Sequence, residues 1–150
     1  KGDTELNVQI RLTKAPTLTI HIPKLNLQVK YTAPVPTDHI KDGEVVVRNE
    51  FISIDAAMRT WITGRKTYRD PILPGMTMYA TTVDKFVLKK LKIPEGDLVL
   101  CGGGWQKYAV LNGKELSKLP KNITNPEVFL ALSISGMTAY FGLEDIGKIK

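Results

Sequence analysis

The sequence predicts a mostly β chain that ends in helices, a β-barrel closed by C-terminal helices. Three observations predict it. Short runs in which apolar and polar residues alternate extend to about residue 119, the period-two signature of half-buried strands. Turn residues punctuate those runs, at Pro34, Asp42-Gly43, Pro94 to Asp97 and Asn112-Gly113. From Asn125-Pro126 onward the apolar residues spread to helical spacing.

Taken in order, Leu6 to Leu12 alternates with Val8, Ile10 and Leu12 apolar, and Leu18 to Ile22 and Leu25 to Val29 alternate again. Ala33-Pro34-Val35-Pro36 is a break, because proline cannot donate to a sheet ladder. Asp42-Gly43 turns the chain into Glu44 to Ile54, rich in Val, Ile and Phe. Thr77 to Leu88 is a further strand with a bend. Pro94-Glu95-Gly96-Asp97 turns into Leu98-Val99-Leu100. Trp105 to Val110 is another strand, and Asn112-Gly113 is a hairpin signal. Thr124-Asn125-Pro126-Glu127 starts the helical stretch, with Pro126 near its first turn. Val128, Phe129, Leu132, Ile134, Met137, Tyr140, Phe141 and Leu143 follow. Gly136 is expected to split this stretch into two short helices, and Gly147 to end the second.

The 150 residues fit one domain. With 43% hydrophobic and 24% charged residues, a disordered tail and a disulfide scaffold are excluded. No run approaches the roughly 20 apolar residues of a membrane span, and the polar N-terminus lacks a signal-peptide core. The single cysteine, Cys101, forms no internal disulfide, so a cytoplasmic, reducing compartment is expected. The net charge of +6 is spread along the chain. Its densest run, Lys85 to Lys92, alternates with Phe86, Val87, Leu88 and Leu91 and reads as a solvated face. The chain has no basic stripe regularly interleaved with aromatics, so nucleic acid is not expected as a partner, and no membrane partner is expected either.

Catalytic zinc of the dehydrogenase kind needs two cysteines and a histidine. One cysteine and two histidines, His21 and His39, cannot supply it, so no metal is expected. His21 falls on a strand face and His39 in a polar turn. Gly102-Gly103-Gly104 lies between strands with no following helix, so it is no phosphate loop. It is either a tight bend or a place where backbone approaches a ligand. Cys101 beside it is either a small buried filler or a nucleophile with a distant histidine. Trp105 and Tyr108 either pack the barrel or stack on a substrate.

Four stretches, read together, carry a resemblance. They are Asp42-Gly43-Glu44-Val45-Val46-Val47 running to Ser53-Ile54-Asp55-Ala56-Ala57-Met58-Arg59; Ile93 to Val99; Gly103-Gly104-Trp105-Gln106-Lys107-Tyr108-Ala109-Val110 with Gly113 to Leu119; and Gly136-Met137-Thr138-Ala139-Tyr140-Phe141-Gly142-Leu143. In order and spacing over residues 42 to 150 they resemble the zinc-independent medium-chain dehydrogenase/reductases of the prostaglandin reductase (leukotriene B4 12-hydroxydehydrogenase) type. Residues 1 to 41 match only in strand-like character.

The resemblance implies a GroES-like distorted β-barrel, a catalytic or substrate domain over residues 1 to 150. In such proteins a Rossmann cofactor domain follows. This chain stops at Lys148-Ile149-Lys150, where that domain would begin, so it is expected to be absent from the chain. The implied reaction is NADPH-dependent reduction of the carbon-carbon double bond of an α,β-unsaturated ketone or aldehyde, without zinc. The donors that would hold the developing enolate belong to the cofactor and the other domain, so no catalytic residue is expected here. For the cofactor, Thr138 matches the threonine that meets the nicotinamide carboxamide, or it caps a helix start. Gly136 and Met137 flank the nicotinamide, and Met58 also faces the cofactor. Ala57, Arg59, Cys101, Gly102 and Gly103 are placed along the substrate. Tyr140 lies at the interdomain edge or packs its helix. Asp55 is a turn or N-cap residue.

Two departures from the family stand out. Ala56 and Ala57 replace its Pro-Tyr, and no glycine cluster lies near Val83-Asp84-Lys85. Taken alone, the chain is expected to bind NADPH weakly, to be inactive, and to expose an apolar edge from Val128 to Leu143. The parent is expected to take a small enone or alkenal, and a homodimer fits it. Two competing readings are a GroES-like binding module without a cofactor domain and a quinone-reductase-like relative.

Overall fold

Three consecutive valines set the middle of the fold. Val45, Val46 and Val47 are all buried, which requires a strand covered on both faces. The computed structural model describes residues 6–16, 27–32, 40–88 and 96–149. In it the valines lie in β3 (Glu44–Ile52), flanked by β6 (Tyr108–Asn112) and β4 (Thr82–Leu88). Beyond β4 come β5 (Leu98–Cys101) and the short β7 (Ser117–Lys118), so the sheet order is β6-β3-β4-β5-β7. Each of these pairs is antiparallel. A second, two-stranded sheet pairs β1 (Asn7–Leu12) with β2 (Leu27–Thr32), Asn7 opposite Thr32.

Irregular backbone joins the two sheets. Ile10 N–H donates to the Trp105 carbonyl at 2.8 Å, and Lys107 N–H to that of Val8 at 2.8 Å. Along the same edge of β1, Met78 N–H reaches the Ile10 carbonyl at 2.9 Å and Leu12 N–H that of Met76 at 3.0 Å. Each sheet interior has its own apolar cluster. Leu12, Met58, Trp61, Ile72, Met78 and Ala80 form one, with Ile10, Leu27 and Trp105 packed against it. Val45, Val47, Phe86, Val99, Cys101 and Ala109 form the other. The short helix α1 (Met58–Trp61) exists to drop Met58 and Trp61 into the first cluster.

A mostly β chain ending in helices is therefore what the structure shows, with α2 (Val128–Ala131), α3 (Ile134–Phe141) and a π-helical turn over Gly142–Ile146 closing the sequence. Four expectations change in detail. Asn112-Gly113 makes no hairpin: β6 pairs with β3, while β7 pairs with β5. Asn112 instead stays extended and its side chain accepts the Lys114 N–H, capping a 3-10 turn over Gly113–Glu115. The strand expected from Thr77 is regular only from Thr82, because residues 78 and 80 give their carbonyls to Trp105 and Gly104. The helical break falls at Leu132-Ser133, not at Gly136, which lies inside α3. Gly136 makes that break feasible: a Cβ there would sit 2.5 Å from the Ala131 carbonyl oxygen. Finally, Thr138 is mid-helix and caps no helix start, since α3 opens at Ile134.

Residues 18–22, 25–26, 33–36 and 89–95 lie outside the described residues, as do His21 and His39. Among the described residues, no helix is long and apolar enough to cross a membrane.

Candidate functional site

Gly102, Gly103 and Gly104 form a bend whose every side meets another part of the chain. A Cβ on Gly102 would meet the Tyr79 ring at 2.9 Å. One on Gly103 would meet Thr82 Oγ1 at 2.6 Å, Asn49 Oδ1 at 2.7 Å and Asp84 Oδ2 at 2.7 Å. Gly104 has φ +71°, the left-handed region that glycine enters freely, and a Cβ there would lie 2.8 Å from the Met78 carbonyl oxygen. The triplet is a bend, as one reading expected, and the protein's own groups approach it closely: a tyrosine ring at Gly102, three polar side chains at Gly103 and a backbone carbonyl at Gly104.

Those side chains hold the bend. Gly103 N–H donates to Thr82 Oγ1 at 2.9 Å, Asn49 Nδ2 to the Gly104 carbonyl at 2.7 Å, and Gln106 Nε2 to the Gly103 carbonyl at 2.9 Å. Beneath them Asp84 is wholly buried. Its Oδ2 accepts from Thr82 Oγ1 at 2.9 Å and from the Cys101 thiol at 2.8 Å. Asp84 Oδ1 and Asn49 Oδ1 are buried with no hydrogen-bond partner.

The electrostatics follow from this burial. Desolvation raises the Asp84 carboxyl from 3.8 to about 6; its hydrogen bonds from Cys101 and Thr82 pull it down, and the Glu50 charge adds to the rise. Burial, and then the negative charge of Asp84, push the Cys101 thiol far up. Cys101 is thus a buried hydrogen-bond donor rather than a nucleophile.

The remaining expected substrate residues lie on α1 and its lead-in. Asp55 serves the turn: its carboxylate accepts the Ser53 hydroxyl at 2.6 Å and its carbonyl the Met58 N–H at 3.0 Å, while the helix N-cap is Ala57. Ala57 and Arg59 are exposed. Met58 is buried in the first apolar cluster, under the surface that Ala57 and Arg59 present. Trp61, also buried, meets Tyr79 edge-on at 5.8 Å between ring centroids. Tyr79 links α1 to the glycine bend, because the same ring covers Gly102. Trp105 packs on the first cluster, as the packing reading expected.

On α3, Met137 and Tyr140 are exposed, and Thr138 Oγ1 donates to the Ile134 carbonyl at 2.7 Å, leaving its oxygen lone pairs outward. An apolar cavity of about 370 Å³ is lined by Val8, Ile10, Ile52, Ile54 and Trp105, with Asn49 and Lys107 among its walls. It shares Asn49 with the bend network. Among the described residues no group of three or more His, Cys, Asp and Glu is placed to hold a metal ion.

Sequence reasoning missed Asn49, Thr82 and Asp84. One signal was available. Thr82, Asp84 and Phe86 share a strand face by period two, so an acid falls on the face of a buried phenylalanine. Such an acid needs partners, and a neighbouring glycine triplet is where backbone can supply them.

Comparison with known proteins places the chain in a family. The family described as N-terminal domain of oxidoreductase matches residues 9–119. The NADPH-dependent curcumin reductase of Escherichia coli is 36% identical over 111 residues, covering 73% of this chain and 32% of that protein. Prostaglandin reductase 1 of Bos taurus is 30% identical over 116 residues, covering 74% and 33%. The chain thus spans about a third of the length of these curated relatives. CurA from Vibrio vulnificus, solved in complex with NADPH, superposes with a TM-score of 0.81 at 30% identity, covering 95% of this chain and 42% of that one.

Proposed function

Because the chain belongs to the N-terminal domain of oxidoreductase family, we propose that it is the substrate-side part of an NADPH-dependent reductase of α,β-unsaturated ketones and aldehydes. The observation that carries this reading is the likeness, at 30% identity and over nearly the whole chain, to a CurA structure holding NADPH. We read the two sheets as a GroES-like barrel and place the cofactor domain in the parent protein, for which a homodimer and a cytoplasmic location remain our reading.

The residues present fit one end of such a cofactor. Exposed Met137 and the outward lone pairs of Thr138 suit the nicotinamide and its carboxamide N–H₂, with Gly136 keeping that helix close to α2. When bound, NADPH supplies the hydride. The chain's own part is to shape and dry the site. The glycine bend gives a wall in which the backbone groups of Gly103 and Gly104 are already hydrogen-bonded, which costs no reorganisation when substrate arrives. Ala57 presents a methyl where the family resemblance implies a phenol, widening the wall and removing a donor.

The test is NADPH consumption by the full-length protein with simple enones and enals, with product analysis. A saturated carbon chain with its carbonyl retained is expected. Reduction to an alcohol, or no NADPH consumption with any activated alkene, would sink the reading.

A further inference from the structure

We propose that Arg69, clamped between the rings of Trp61 and Tyr79, is a carboxylate-binding residue that takes an acidic group on the enone substrate beside the glycine bend. The proposal rests on the reductase reading above and names the substrate class more narrowly.

The guanidinium carbon lies 4.5 Å from the Trp61 ring centroid and 3.9 Å from that of Tyr79. Stacking of this kind engages the flat faces of a guanidinium and leaves its N–H edge to seek acceptors. Among the described residues none is supplied: no hydrogen bond or ion pair reaches the Arg69 side chain. The adjacent acid, Asp70, pairs with Lys66 at 3.0 Å instead. From residue 59 to 70 the chain carries Arg59, Arg65, Lys66 and Arg69 against that one acid, so the local field favours an anion.

A second donor stands on the same indole. Trp61 Nε1 donates to the Tyr68 hydroxyl at 2.6 Å. Having accepted that bond, the Tyr68 oxygen keeps its own O–H to give. A half-buried planar fork and a phenol O–H, both anchored on a buried tryptophan, suit the two oxygens of a carboxylate. The site also adjoins the residues expected along the substrate. Tyr79 touches Arg69 on one side and Gly102 on the other, and α1 carries both Trp61 and Arg59. The competing source of the anion is a phosphate of the cofactor.

The test uses the full-length protein and two substrates, an enone bearing a terminal carboxylate and its methyl ester. The wild-type protein is expected to prefer the acid through KM. Arg69→Gln should lower the acid-over-ester ratio of kcat/KM about tenfold, and Arg69→Lys should restore part of it, since a lysine keeps the charge without the fork. An unchanged ratio would overturn the proposal, and so would a rise in the KM for NADPH with the ratio intact. Calorimetric binding of the acid and the ester is measured alongside. If wild-type protein reduces neither compound, the reductase reading fails. Arg69-dependent preference for the acid in the calorimeter would still support the carboxylate site, and equal binding of acid and ester would overturn it.

Discussion

The glycine bend and the C-terminal helices sit at opposite extremes of one chain. Around Gly103 three side chains crowd a single missing Cβ, and Thr82 and Asp84 are wholly buried. In α2, α3 and the turn after them no residue is buried, and Val128, Leu132, Ile134, Met137, Tyr140, Phe141 and Leu143 are all exposed. In the bend, the N–H and carbonyl groups of both Gly103 and Gly104 are committed to neighbours. The helices hold their large apolar residues at the surface, the kind of patch that marks an interaction site. One part of the chain spends its polar groups on its own rigidity, and the other leaves its apolar groups for something else to bury.

The largest test of that contrast compares two glycines. Gly103→Ala is expected to destabilise the fold by about 3 kcal/mol or more, because buried neighbours at 2.6 to 2.7 Å cannot swing away. Gly142→Ala, in the helical segment with nothing within 4 Å and helical φ, is expected to be neutral or stabilising by about 0.5 kcal/mol. Chemical denaturation of both variants checks the pair; equal costs would dissolve the distinction.

The next test sharpens the account of the bend. A carboxyl raised from 3.8 to about 6 binds its proton more tightly in the folded chain than in the unfolded one. Its contribution to stability is therefore whole below about pH 4 and is lost as pH rises through 6. The loss by pH 8 is on the order of 3 kcal/mol. Asp84→Asn cannot ionise, keeps an acceptor for Cys101 and Thr82, and adds a donor where two buried acceptors have none. We expect its stability to be flatter between pH 5 and pH 8, and higher than wild type at pH 8. Urea titrations at the two pH values decide it, and a less stable variant at pH 8 would refute the account.

The smallest effect belongs to the helices. Met137→Gln with Tyr140→Gln is expected to change the unfolding free energy of this chain by less than about 0.5 kcal/mol, since both side chains are mostly in water. In the full-length protein the same pair should cost about 1 kcal/mol or more if further protein covers them. Thermal unfolding of the two forms, side by side, measures the difference.

Much of this architecture was legible beforehand. Alternation identified β1, turn residues and apolar runs identified β3 and β5, Trp105 to Val110 anticipated β6, and the change of spacing near Pro126 identified the helical end. The missed features share one cause: they depend on partners distant in sequence. Asn112-Gly113 has the chemistry of a hairpin, yet β7 found β5 and β6 found β3, so the turn had no hairpin to close. Gly136 has the chemistry of a helix breaker, yet the Ala131 carbonyl beside it made a glycine necessary within the helix.

By itself the sequence determined the class of the fold, the places of β1, β3, β5 and β6 and the family resemblance, because these follow from periods and motifs written into neighbouring residues. Only the tertiary structure decided the state of Asp84, Cys101 and Arg69. An acid buried under a glycine bend, a thiol held protonated by burial and by that acid, and an arginine held between two rings are consequences of desolvation and contact. Those depend on which strands lie side by side, and no local pattern states it.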